Sequence, residues 1–158
     1  MSSEELRLNN LFDVSGKVVV VTGGTRGIGF MIASGFYANG ATVYVNSRKQ
    51  KDCDYANSEF EKLKSNHSGK YVTVVAELGD EKGCIKYAEE IKKREQRVDV
   101  LVNNAGTSWA APLEQYPDSA WDKLMALNVK AAFHMTKFLL PLLRNAKNWC
   151  KRHQHWFY

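Results

Sequence analysis

Val18-Val-Val-Val-Thr22-Gly23-Gly24-Thr25-Arg26-Gly27-Ile28-Gly29 is an apolar, β-branched run that ends in a glycine-rich turn and opens straight into a helical pattern. β-Branched residues favour a strand, and glycines favour a tight turn. Gly23 lets the chain leave the strand sharply. Gly27 removes a Cβ where backbone would approach a phosphate, and Gly29 permits close packing of helix on sheet. The free N–H groups and positive dipole end of the following helix suit a pyrophosphate. The run closes on Gly-Ile-Gly rather than on the Gly-Lys-Ser/Thr of a triphosphate loop, so a dinucleotide is the expected ligand. A tight strand-to-helix turn without a ligand is the alternative.

Working outward, strand and helix patterns alternate. Strands are expected at Lys17–Thr22, Ala41–Asn46, Tyr71–Ala76 and Val98–Val102. Helices are expected at Arg26–Asn39 with Ile28, Ile32 and Phe36 on one face, at Cys53–Lys64 with Ala56, Phe60 and Leu63 together, and at Glu81–Arg94 with Ile85, Ala88 and Ile91 inward. Two more are expected at Asp118–Leu127 and Val129–Leu143. This order implies an α/β fold, a Rossmann-like parallel sheet with helices on both faces, incomplete after the fourth strand and its following helices. Residues 1–15 form a lead-in, 16–145 the dinucleotide-binding domain and 146–158 an aberrant tail. Ligands of such sheets sit beyond the carboxyl ends of the strands, where the glycine turn and Asn103-Asn104-Ala105-Gly106 both fall.

A chain of 158 residues suits one domain. The net charge of +5 is local, because residues 123–158 hold seven Lys or Arg and no acid. That leaves fifteen of the 22 bases, against all seventeen acids, for residues 1–122. Nucleic-acid binding needs basic residues gathered on a folded face, so it is not expected. No apolar stretch is long enough to span a membrane, and the N-terminus shows no signal-peptide pattern. Cys53, Cys84 and Cys150 have no metal or disulfide spacing. A soluble, cytoplasmic protein without a metal site is expected.

Three ordered motifs resemble the short-chain dehydrogenase/reductase family. Its Thr-Gly-x-x-x-Gly-x-Gly matches Thr22 through Gly29, its Asn-Asn-Ala-Gly matches Asn103 through Gly106, and its helix asparagine matches Asn128. Within the family, the stretches at 103–109 and 116–123 look most like 3-oxoacyl-carrier-protein reductases and rhamnolipid-pathway ketoreductases. The resemblance implies a nicotinamide cofactor held by Thr22, Gly23, Thr25, Arg26, Gly27, Ile28, Gly29, Ser47, Arg48, Glu77, Leu78, Asn104, Ala105 and Gly106. It also implies a small carbonyl or alcohol substrate, and a homo-oligomer assembled through helix 129–143.

The second strand ends Asn46-Ser47-Arg48 with no acid to accept from an adenosine 2′-hydroxyl. Arg48 can fork onto a 2′-phosphate, Ser47 can add a hydroxyl, and Arg26 can add a second cation. NADP(H) is therefore expected over NAD(H), the alternative being a solvated Arg48. Glu77 stands where the family usually has the Asp that meets adenine. Asn104 is expected near the ribose or nicotinamide, although the Asn103-Asn104 pair alternatively closes the strand end by side-chain turns.

Of the catalytic set that the resemblance implies (Ser, Tyr, Lys and Asn), only Asn128 maps, and no Tyr-x-x-x-Lys follows it. Tyr87 and Tyr116 fall too early in the fold to substitute. The expected function is NADP(H)-dependent ketone reduction or alcohol oxidation by family, with the chain as given lacking the proton donor. The alternatives are a catalytically dead nucleotide-binding or subunit-interaction module, or a non-functional frameshifted product.

The tail supports the last idea. Trp is always TGG, and Cys and Phe codons begin with T. Reading one nucleotide later therefore forces Gly inside Trp149-Cys150 and inside Trp156-Phe157. The same shift lets Arg152–Phe157 become Val-Ile-Asn-Ile-Gly-Ser, which resembles the family's fifth strand. Residues from about Lys147 are thus expected to be out of frame, which the coding nucleotide sequence decides. A metal site from Cys150, His153 and His155, and a membrane-surface tail, are weaker alternatives. The fourth strand is expected to be an exposed edge and Leu139, Leu140, Leu142 and Leu143 to lack neighbours, giving poor solubility.

Overall fold

A computed structural model describes residues 12–146. The expectations placed on the tail from Lys147 lie outside the described residues. Four parallel strands, β1 (Val18–Val21), β2 (Thr42–Ser47), β3 (Lys70–Val75) and β4 (Val100–Val102), form one sheet in the order β3-β2-β1-β4. Val19 pairs in register with Val43 on one side and Val100 on the other. All four residues of β1 are buried, as a strand covered on both faces should be. Each buried valine contributes about 1.5–3 kcal/mol of transfer free energy.

Helices α1 (Gly27–Ala38) and α2 (Gln50–Lys62) cover one face of the sheet. Val19, Val21, Val43 and Val45 there meet Ala33, Tyr37, Ala56 and Phe60. Helices α3 (Glu81–Lys92) and α5 (Ala131–Arg144) cover the other, where Val18, Val20 and Tyr44 meet Tyr87, Ile91, Met135 and Leu139. Between β4 and α5 lie a 3₁₀ turn (Leu113–Gln115), α4 (Asp118–Met125) and a π-turn (Ala126–Lys130).

Several expectations are corrected here. The inward face of α1 is Gly29, Ala33 and Tyr37, one residue on from the expected Ile28, Ile32 and Phe36, and Ile28 is 72% exposed. Ile85 is exposed while Cys84 and Tyr87 turn inward, and Leu63 caps α2 on the exposed side. The break expected at Asn128 is instead the π-turn, which carries α4 into α5 without interruption. Leu139, Leu142 and Leu143 do not lack neighbours: they are buried in the core that α3 lines. Leu140 is half-buried. Among the described residues β4 is an outer strand of the sheet, as expected.

Candidate functional site

The carboxyl ends of the strands open into a cleft of about 490 Å³. One wall is the turn from β1 into α1. Gly23 (φ +64°) and Gly27 (φ +55°) take left-handed conformations that other residues reach only with strain. The start of α1 has Arg26 at its N-cap with no side-chain acceptor, and Gly27, Ile28 and Gly29 line the cleft. N–H groups of a first helical turn have no intrahelical acceptor, which is the chemistry that suits an anion. A Cβ added at Gly29 would lie 2.6 Å from the Gly23 carbonyl oxygen.

 Gly29 is buried, and the 2.6 Å approach to Gly23 is what excludes a side chain there.

Thr22 lies just behind that wall, 2% exposed, and ties it to the turn after β4. Its Oγ1 accepts from the backbone N–H groups of Asn104 and Ala105, each at 2.9 Å, and donates to the Val102 carbonyl at 3.3 Å. Asn104 Nδ2 donates back to the Thr22 carbonyl at 2.9 Å. Asn104 thus closes the strand end while also lining the cleft with Ala105 and Gly106. Asn103 points away, its amide 3.4 Å from the Thr136 hydroxyl on α5.

Asn128 sits in the π-turn and spends both amide atoms on one residue. Its Oδ1 accepts from Thr107 N–H at 2.8 Å and its Nδ2 donates to the Thr107 carbonyl at 2.9 Å. The π-turn therefore anchors the segment that continues from β4 along the cleft. Asn128 and Thr22 support the cleft; the other expected cofactor residues line it, Thr25 among them and 2% exposed.

At the far end, Arg48 is 66% exposed at its side chain, with a guanidinium nitrogen 3.9 Å from Glu77 Oε2. Glu77 also accepts from Gly79 N–H, while Leu78 is buried beside it. Ser47 Oγ donates to Asp52 Oδ2 at 2.9 Å, a partner that nothing in the sequence pattern suggested. Arg26, Lys49 and Lys51 line the same cleft.

Asn46 is the site residue that sequence reasoning missed. It is 3% exposed; its Oδ1 accepts from Gly23 N–H at 3.0 Å and its Nδ2 donates to the Ala76 carbonyl at 3.0 Å. One side chain thus fixes the glycine turn to the ends of β2 and β3. A polar residue closing an otherwise apolar strand was the available signal.

Tyr87 does not serve this cleft. It is fully buried, its hydroxyl has no partner, and burial raises its pKa well above the usual tyrosine value. Burial likewise pushes the Cys84 thiol up to about 11. Among the described residues no group of His, Cys, Asp or Glu side chains gathers as a metal site, and no helix is long and apolar enough to cross a membrane.

The sequence profile of short chain dehydrogenases matches residues 17–149. The chain is 41% identical over 135 residues to a rhamnolipids biosynthesis 3-oxoacyl-[acyl-carrier-protein] reductase of Pseudomonas aeruginosa, covering 85% of this chain and 51% of that protein. Among solved structures, the Pseudomonas aeruginosa RhlG/NADP active-site complex superposes with a TM-score of 0.78 at 41% identity, over 85% of this chain and 51% of that one. An NADH-dependent reductase complexed with NAD superposes with a TM-score of 0.74 at 30% identity, over 84% and 54%. The chain spans about half the length of the relatives it matches.

Proposed function

The chain belongs to the short chain dehydrogenase family, and from that membership we propose that it is built for an NADP(H)-dependent oxidoreductase that interconverts small ketones and alcohols. The observation that carries the reading is the cleft itself, lined by both the start of α1 and Arg48. The glycine turn from Gly23 to Gly29 would hold the pyrophosphate. Arg48 and Arg26 would hold the adenosine 2′-phosphate, Glu77 and Leu78 would border the adenine, and Asn104 to Gly106 would border the ribose and nicotinamide. The cofactor, when bound, supplies or accepts the hydride.

The described residues that line the cleft would position the cofactor. Asn128 holds Thr107 with both amide atoms and so keeps the cleft wall in place. We propose that the described residues bind the dinucleotide, with Asn128 the residue among them that matches the family's catalytic set. The Arg48–Glu77 pair is exposed and worth at most about 1 kcal/mol, so exchanging Glu77 for a phosphate costs little. Titration calorimetry should give tighter binding of NADPH than of NADH. Arg48→Ala should weaken NADPH by about tenfold while changing NADH little. Equal loss for both cofactors would refute the role of Arg48, and tighter NADH binding by the unmodified chain would refute the preference.

A second reading, a subunit-interaction module, is favoured by one observation. Trp121, Met125, Val129 and Phe133 recur every four residues along α4, the π-turn and α5, and all are exposed. Such a stripe is the apolar face of an oligomer contact. Sedimentation should find an assembly larger than a monomer, dispersed by Val129→Glu with Phe133→Glu. A monomeric unmodified chain would end this reading.

A further inference from the structure

We infer that Asp52, from the first turn of α2, supplies the acid that the end of β2 lacks, and so tempers discrimination in favour of a 2′-phosphorylated adenosine. The inference rests on the proposed use of the cleft for a nicotinamide dinucleotide. Ser47 is the last residue of β2, and its hydroxyl carries one hydrogen and two acceptor sites. The hydrogen goes to Asp52 Oδ2 at 2.9 Å, and Lys49 N–H occupies one acceptor site at 3.3 Å. Only an acceptor site remains. A ribose hydroxyl can donate to it, whereas a phosphate dianion, which offers only acceptors, cannot bond Ser47 until Asp52 releases it.

Asp52 lines the same cleft as Arg48, so its charge also opposes a phosphate held there. Arg26, Arg48, Lys49 and Lys51 pull the other way. The outcome is a chain that takes both cofactors and favours the phosphorylated one modestly, because the hydroxyl that would help hold the phosphate is already engaged. Asp52 also sits well for the dipole of α2, so its charge is removed with the isosteric amide rather than by truncation.

The test compares adenosine 2′,5′-bisphosphate with 5′-AMP by calorimetry on the full chain. Asp52→Asn should tighten the bisphosphate about fivefold and 5′-AMP by much less. Ser47→Ala alone should barely change bisphosphate binding, but in the Asp52→Asn background it should remove much of the gain. Asp52→Glu, which keeps the charge, should return the ratio of the two affinities toward that of the unmodified chain. A ratio unmoved or lowered by Asp52→Asn, in a chain that binds both nucleotides, overturns the inference and leaves the proposed cleft standing. An unmodified chain that binds neither nucleotide overturns both.

Discussion

Gly29→Ala is expected to cost the chain its dinucleotide affinity, by at least about tenfold, and to lower its stability by about 1–3 kcal/mol. The added Cβ would stand 2.6 Å from the Gly23 carbonyl oxygen and 3.1 Å from Gly24 Cα, and would meet Asn104 Nδ2 as well. Two of these neighbours are backbone. The third is tied to the Thr22 carbonyl at 2.9 Å, so none is the loose end of a flexible side chain. Relief must come from α1 backing away from the turn, which moves the helix start that lines the cleft. Gly27→Ala is the control for stability alone, since Gly27 itself lines the cleft. Its Cβ meets nothing within 4 Å of the protein, and its stability penalty is the left-handed φ, about 1–2 kcal/mol. Calorimetry with NADPH and thermal unfolding check both variants. A Gly29→Ala chain that binds within twofold of the unmodified one, at unchanged Tm, would refute the account of the turn.

The sheet was legible because each strand is a run of β-branched residues bounded by turn residues, and alternation with helices dictates parallel pairing. The inward face of α1 was not. Periodicity favours the large apolar residues Ile28, Ile32 and Phe36, whereas a helix lying close on a sheet turns small residues to it, here Gly29 and Ala33. The larger Ile32 and Phe36 pack on the flanks. The same bias misplaced Ile85, since Cys84 and Tyr87 fill the position next to the sheet.

The π-turn at Asn128 was hidden for a different reason. It is a change in backbone hydrogen-bond register, and its five residues Ala-Leu-Asn-Val-Lys have no composition that marks it. Within the cleft, the residues that line it were legible from the motifs. Their partners were not, because Asn46 with Gly23 and Ala76, and Ser47 with Asp52, are contacts set by how strand ends meet.

Thr22→Val is expected to destabilise the chain by about 1–3 kcal/mol, although it preserves the volume of the side chain. The hydroxyl is an acceptor for two backbone N–H groups, those of Asn104 and Ala105, both at 2.9 Å, in a place where Thr22 itself is 2% exposed. A methyl group in its place removes the acceptor of Ala105 N–H and leaves Asn104 N–H only the Val102 carbonyl at 3.1 Å, and one unsatisfied buried donor costs about 1–3 kcal/mol. The bond from Oγ1 to the Val102 carbonyl, at 3.3 Å, goes with them. The effect should reach the cleft, because the same turn carries Asn104, Ala105 and Gly106 along one wall. Thr22→Ser keeps the hydroxyl and loses only a methyl group, so it should recover most of the stability and most of the NADPH affinity. Chemical denaturation separates the cases. Thr22→Val no less stable than Thr22→Ser would mean that packing by the methyl group, not hydrogen bonding, joins β1 to the turn after β4.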